Sequence, residues 1–447
     1  MSEPVVSVAV LKEQKIEFEL YGDFTVDNSG VFYSGKYTAL YENGKIVISN
    51  GSTTKEFNSE LTFTPDDIES ESFLIKDVII GIQFHWQQKE KQRFIGSLKL
   101  LIEDNGITAV NILPVEDYLT SVISSEMNAN SSVEFLKAHA IISRSWLLAQ
   151  IDKRNKILSE SGEYSSKQET DEELIKWYDR EDHTLYDVCA DDHCQRYQGI
   201  TKLYAHNAQT AVEETRGMVL TYNDVICDAR FSKACGGIAE SFENVWEPVH
   251  HPYLTKVVDY KFEPDNFDLN LKDEKAADKW IRNSPPAFCN TTDKKILSLV
   301  LQDYDLKTTD FYRWKVELTQ DEISALILKK SGLDFGIVYD LIPVERGDSG
   351  RLIKLKIVGS KKTLTIGKEL EIRKYLSESH LYSSAFVVDK EDVKDGIPGK
   401  FVLTGAGWGH GVGLCQIGAA VMSEKGYNFD EILLHYFRGA KISKIYE

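Results

Sequence analysis

Residues 112–150, ILPVEDYLTSVISSEMNANSSVEFLKAHAIISRSWLLAQ, constrain this chain more than any other stretch, because they read as two amphipathic helices joined by a short polar turn. Pro114 suits a first helical position, where its missing N–H costs nothing. Glu116 and Asp117 follow in the first turn, where the helix dipole favours negative charge. Leu119, Val122 and Ile123 recur at helical spacing and mark a buried face, and Glu126 falls on it. Asn128-Ala129-Asn130 breaks the pattern, and Ser131 with Glu134 forms an S-x-x-E capping box for the second helix. That helix turns Val133, Leu136, Ala140 and Leu147 inward, with Arg144 on nearly the same stripe. A lone acid closing an apolar stripe needs explaining. Burial and the negative end of a helix both raise a carboxyl pKa, so such an acid can stay protonated and donate to a leaving group. Spacing alone favours a plainer account, a buried glutamate satisfied by Arg144 or a backbone N–H.

The flanks set the fold class. Residues 4–110 are short alternating segments split by Gly, Asn and Asp, with Glu42-Asn43-Gly44-Lys45 as a hairpin turn. They predict a β-rich N-terminal region over 1–110. Residues 111–260 would form a core with helices, a Cys/His cluster and a CGG block, and a third helix over 201–216 ended by Gly217. Residues 151–182 are polar and read as a mobile loop with some helix. Residues 261–345 turn to charged helical segments and read as an inserted helical subdomain. Residues 346–447 return to strands, then a glycine-rich stretch and closing helices. The expected class is α+β, a mixed core with a few helices packed on β-sheets.

Composition excludes some functions. Acidic residues exceed basic ones by 18. With no dense basic run, a nucleic-acid partner is not expected, since binding to phosphate backbones is carried by clustered Lys and Arg. No apolar run approaches the ~18–20 residues of a membrane span. MSEPVVSVAV lacks the basic and apolar regions of a signal peptide, which leaves a cytoplasmic protein or a mature form with a replaced start. Six cysteines in 447 residues do not make a disulfide scaffold.

Three further motifs bear chemistry. His183-x5-Cys189-x4-Cys194, with His193 beside it, offers thiolates and imidazoles suited to zinc. A Cys189–Cys194 disulfide or two free thiols fit the spacing as well. A carboxylate, a water or His193 could complete a tetrahedron. GAGWGHGVGLCQIG, residues 405–418, lacks the spacing of a dinucleotide fingerprint and the Lys of a P-loop. Its alternating glycines allow close backbone approach, and Trp408, His410 and Gln416 supply a stacking face and polar handles. Cys235-Gly236-Gly237, followed by Glu240, Glu243 and Trp246, is a tight turn beside a site or a plain one. Gly347-Asp348-Ser349-Gly350 is best explained as a turn before the strand RLIKLKIVG.

Five blocks taken in order carry a resemblance: ILPVEDYLTSVISSEM…FLKAHAIISRSWLLA, YDVCADDHCQRYQG, FSKACGGIAESFENVWE, SGRLIKLKIVG…LEIRKYL, and GAGWGHGVGLCQIG through RGAKI. Together they resemble the SpoIID/LytB family, the stage II sporulation proteins D and amidase enhancers, over roughly 105–260 and 345–447. The resemblance implies a peptidoglycan lytic transglycosylase that cuts glycan strands between MurNAc and GlcNAc and leaves 1,6-anhydro-MurNAc ends. Glu126 matches the family's catalytic acid and would act first as acid, then as base. Arg144, Ser145, Cys235, Gly236, Gly237, Trp408, His410 and Gln416 would line the glycan groove. Some sporulation-branch members bind zinc through one His and two Cys. His183, Cys189 and Cys194 match, and that zinc would be structural. The family acts outside the cytoplasmic membrane, which favours an extracytoplasmic protein with its signal or anchor missing from this chain. A non-catalytic wall protein that recruits or stimulates an amidase is the alternative. Departures from the family pattern are Asn128 in place of Pro, Cys415 in place of Ser, and the 261–345 segment.

Overall fold

A computed structural model describes residues 2–26, 30–81, 87–128, 130–159, 165–177, 183–191, 193–201, 206–301 and 308–447. The chain divides into two compact units. The first comprises Met1–Ser159, Asp182–Val219 and Ser443–Glu447, the second Glu160–Glu181 and Leu220–Ile442. Both mix strands and helices, as the α+β expectation requires, although the boundaries cut across the four segments expected from composition. No helix among the described residues is long and apolar enough to cross a membrane.

The first unit is built on an 11-stranded sheet. Its alternating segments pair in antiparallel register, some with a sequence neighbour, as Lys45–Ser49 with Phe32–Glu42, and some at long range, as Val5–Glu13 with Gly106–Pro114. Side chains on one face, such as Phe18, Phe63, Leu98 and Leu100, are fully sealed. One pair breaks the antiparallel rule. Val188–Cys189 joins the sheet edge in parallel to Val5–Glu13, which delivers the Cys/His segment to that edge.

The second unit holds a five-stranded sheet and a three-stranded sheet around a shared apolar core that includes Ile357, Ile366, Phe386 and Leu403. Two expectations are corrected here. Residues 167–176 are not a loop. Lys167–Glu169 and Glu173–Lys176 form a hairpin that pairs with Thr363–Gly367, and Leu174, Ile175 and Trp177 behind it are buried. The helix before it also runs further than expected, to Ser159. Nor is 261–345 a helical subdomain set apart. Arg313–Thr319 pairs along its whole length with Lys400–Ala406, and Val338–Arg346 pairs with Leu352–Gly359. The charged helices there are amphipathic. Glu274–Arg282 exposes Lys275 and Lys279 but seals Ala277 and Trp280.

The helix pair read from 112–150 is present as α1 (Val115–Glu126) and α2 (Val133–Ser159), with α3 (His206–Glu214) packed on both. Tyr118, Leu119, Val122 and Ile123 form the expected buried face of α1. The α2 cap lies one residue later than expected, where Ser132 Oγ accepts from the Phe135 N–H at 3.2 Å. Arg144 is fully buried, but its partner is Glu116. Its Nε and Nη2 donate to the two Glu116 oxygens at 2.9 and 2.6 Å, and Nη1 donates to the Met218 carbonyl at 2.9 Å. A buried fork–fork pair is costly to halve, since either partner alone is a bare charge in the core. Arg144→Met is therefore expected to lower the unfolding free energy by about 3–5 kcal/mol in urea titration. A loss under about 1 kcal/mol, the scale of a surface pair, would show the pair to be dispensable.

Candidate functional site

Glu126 is the last residue of α1, and Met127 leaves the helix in extended geometry at φ −114° and ψ 157°. The helix therefore ends where the chain turns to the surface, and the carboxyl is half-buried rather than sealed. Its Oε1 accepts the backbone N–H of Arg196 at 3.0 Å. The segment that supplies this amide is fixed residue by residue. Tyr118 Oη donates to Gln195 Oε1 at 3.2 Å, and Gln195 Nε2 donates to the Ser143 carbonyl at 3.3 Å. Tyr197 Oη donates to Asn111 Oδ1 at 2.5 Å, and its ring stacks on Tyr118 at 5.2 Å. The Gln198 N–H donates to Ser121 Oγ at 3.3 Å. Reading periodicity alone missed Gln195, Arg196 and Tyr197. The signal was the run QRYQG directly after Cys194.

The same segment begins in the Cys/His cluster. Ligand atoms of His183, Cys189, His193 and Cys194 all lie within 4.8 Å of one another. Cys194 Sγ stands 3.3 Å from His183 Nε2 and 3.5 Å from His193 Nδ1, while Cys189 Sγ is 3.8 Å from His193 Nδ1. Ligands held ~2.0–2.3 Å from a tetrahedral zinc stand ~3.3–3.8 Å apart, so the spacing fits two sulfurs and two nitrogens around one ion. Hydrogen bonding with Cys194 leads the causes that hold the Cys189 thiol below its ordinary range, against the opposing effect of burial, and the His183 and His193 imidazoles add to it. A deprotonated thiol is the state a metal requires. His193 thus stands where a fourth ligand was expected. No disulfide joins the two thiols.

Several expected groove residues are elsewhere engaged. Arg144 is held by Glu116, and Ser145 Oγ, also fully buried, donates to the Ile141 carbonyl at 2.6 Å. Cys235 is only 2% exposed, and Gly236 and Gly237 are buried with it. These five have little surface to offer a sugar, because the helix interior and the tight turn that hold them are packed against the core.

In the second unit the glycine-rich loop wraps around Arg351. The guanidinium is fully buried and donates to the carbonyls of Cys235, Ala234 and Gly409. Gly411 has φ +78°, and a Cβ there would stand 2.4 Å from Arg351 Cζ. The loop's glycines are thus explained by close packing on protein. Its outward residues are Trp408 and His410, both half-exposed, whereas Gln416 is buried at 4%. Trp408 stacks on Phe311 at 4.6 Å and meets the edge of Tyr382 at 4.7 Å. His410 accepts the Val412 N–H at Nδ1, 3.0 Å away. Desolvation, then the Arg230, Arg351 and Arg373 guanidiniums, hold its imidazole neutral, well below the ordinary histidine range. His410 is therefore a hydrogen-bonding group and not a cation.

Residues 103–222 match the family described as Stage II sporulation protein, and residues 240–413 match one described only as a domain of unknown function, DUF8618. The chain is 26% identical over 349 residues to an uncharacterized protein of Brachyspira hyodysenteriae, an alignment covering 78% of this chain and 72% of that one. It is 25% identical to the amidase enhancer of Bacillus subtilis, covering 73% of this chain but 40% of that protein. It is 24% identical to stage II sporulation protein D of Bacillus amyloliquefaciens, covering 75% and 76%. The domain match and the relatives named amidase enhancer and stage II sporulation protein D support the resemblance to the SpoIID/LytB family.

Packing on Arg351 can be separated from left-handed strain alone. Gly396 has φ +80° with nothing within 4 Å of a built Cβ. Gly396→Ala is expected to cost about 1–2 kcal/mol, the left-handed penalty for an L residue. Gly411→Ala should cost well over that in the same urea titration, because the guanidinium must move as well. Equal losses would contradict the packing account.

Proposed function

We propose that the chain is a peptidoglycan lytic transglycosylase in which Glu126 is the single acid–base group. The observation that carries the reading is a half-buried carboxyl at the end of a largely buried helix, bonded to the Arg196 amide. Protonated Glu126 would give its proton to the glycosidic oxygen between MurNAc and GlcNAc as the C1–O bond breaks. Its carboxylate would then take the proton of the sugar's own 6-hydroxyl as that oxygen bonds to C1 and closes the 1,6-anhydro ring. Water is not consumed, and Glu126 ends protonated as it began. Most glycosidases need two carboxyls because water must be activated or a covalent intermediate formed. An intramolecular nucleophile removes that need and has the advantage of proximity.

His183, Cys189 and Cys194, with His193 as the fourth, would hold a structural zinc. Bound there, zinc would cross-link the start of the segment that runs through Arg196 to Glu126. Trp408 and His410 keep their proposed part in binding glycan, since a half-exposed indole suits a sugar face. This reading makes the protein extracytoplasmic, where its substrate is. A second reading, a wall protein that stimulates an amidase without cutting glycan, draws on the relative named amidase enhancer.

Glu126→Gln should lower release of anhydro-muropeptides from peptide-stripped glycan by about 10²–10⁴-fold, as loss of a general acid does. Mass analysis of the products reads this directly. If the wild-type protein releases none, the enzymatic reading fails, and added wall amidase then tests the second. Cys194→Ser should lose the zinc of this cluster, one equivalent less than wild type, and slow release while leaving Glu126 intact. Elemental analysis finding no metal in protein purified without chelator would remove the zinc from this account.

A further inference from the structure

The second unit contains another cluster, made of residues that the sequence scatters: Cys235, Asp259, Cys289 and Cys415. We propose that these four side chains form a closed site for a divalent, thiolate-preferring metal ion, zinc being the best fit. The site stands independently of the glycan-cleaving reading.

The four come from four separate segments. Cys235 lies in the turn after the strand Phe231–Ser232, and Asp259 follows Val257–Val258. Cys289 precedes the helix Lys294–Val300, and Cys415 caps the helix Gln416–Glu424. Their Sγ and carboxylate oxygen atoms all lie within 4.8 Å of one another, and no residue of the set is more than 2% exposed. Cys235 Sγ and Cys289 Sγ are 3.7 Å apart. A disulfide needs ~2.05 Å, whereas two thiolates on one tetrahedral ion stand ~3.8 Å apart.

The surroundings suit anionic ligands. Cys415 Sγ accepts the Cys235 N–H at 3.2 Å, and Cys235 Sγ accepts the Gly237 N–H at 3.4 Å. Asp259 is oriented by Tyr436 Oη at 2.6 Å and by the Cys289 N–H at 2.8 Å. Donors of this kind fix metal-binding side chains from behind. Gly418 lets the helix come close, since a Cβ there would stand 2.4 Å from both Asp259 Oδ1 and Tyr436 Oη.

A fully buried carboxylate among three thiols lacks a cation. No Lys, Arg or His makes a salt bridge to Asp259 among the described residues. A buried carboxylate without a counter-charge is expensive, and a metal ion would supply one. Two guanidiniums lie just beyond, Arg351 on the Cys235 carbonyl at 3.0 Å and Arg313 on the Gly236 carbonyl at 3.0 Å. They would offset the excess charge of three thiolates and a carboxylate around a divalent ion. Three sulfurs select against magnesium and calcium, and four protein ligands with no exposed position mark a structural site rather than a catalytic one. Binding releases the thiol protons to solvent and changes no oxidation state.

The test uses full-length protein carrying His183→Ala and Cys194→Ser, which removes the first cluster. After purification without chelator it should retain one equivalent of zinc per chain. Exchanged with cobalt(II), it should show a thiolate-to-cobalt charge-transfer band that falls by about one third in Cys289→Ser. Asp259→Asn, which preserves shape, should keep the three-sulfur band but weaken metal retention. Should Cys289→Ser fail to fold, the metal content and cobalt spectrum of the first-cluster variant decide alone. Absence of metal there overturns the proposal. So does a thiol count of the unreduced, denatured first-cluster variant that is two short of its five cysteines, which would indicate a disulfide within the second cluster.

Discussion

The Glu116 carboxylate is the point on which the first unit depends. Besides the two bonds from Arg144, its Oε1 accepts from the Tyr446 hydroxyl at 2.6 Å and from the Gly217 N–H at 3.2 Å. One carboxylate thereby joins α1, α2, the turn beyond α3 and the C-terminal residues. The position is possible because Glu116 lies in the first turn of α1, where the free N–H groups and the dipole favour an anion. An arginine one helix away completes the charge balance in a geometry a lysine could not match. With the near end of α1 fixed in this way, the direction of the helix and the place of its last residue follow.

That last residue is Glu126, and the two acids divide the labour of one helix. Glu116 is sealed and paired, so it contributes rigidity. Glu126 is half-buried at the far end and accepts the Arg196 backbone N–H. Arg144, on the neighbouring helix, is engaged at the Glu116 end.

How much of this was legible follows from range. The apolar stripes of α1 and α2, the hairpin at Asn43-Gly44 and the Gly217 stop are local patterns and were read correctly from sequence. The partner of Arg144 was not, because acids stand at both ends of one helix and only the packing of α2 decides. Residues 167–176 looked like a loop because Lys167–Glu169 is exposed throughout, and strand pairing there depends on residues nearly two hundred positions away. Asp259 and Cys289 were passed over for the same reason, as neither has a neighbour of its own kind. His193 was noticed only because it adjoins Cys194.

Both cysteine clusters meet one physical need. Irregular segments bury little apolar surface of their own, and ordering each residue costs about 1–2 kcal/mol of backbone entropy. Regular strands recover that cost through ladder bonds and packed faces. Among its described residues the segment 183–198 has only a two-residue strand, and the turns at Cys235 and Cys289 contribute little more. Converging ligands on one ion would tie several such segments at once. The metal would then act where the sheets do not reach, in the first unit on the stretch that holds Glu126 and in the second on the turn that the glycine-rich loop packs against. Occupancy of the first cluster would accordingly bear on the position of an acid that accepts the Arg196 N–H, two residues beyond Cys194.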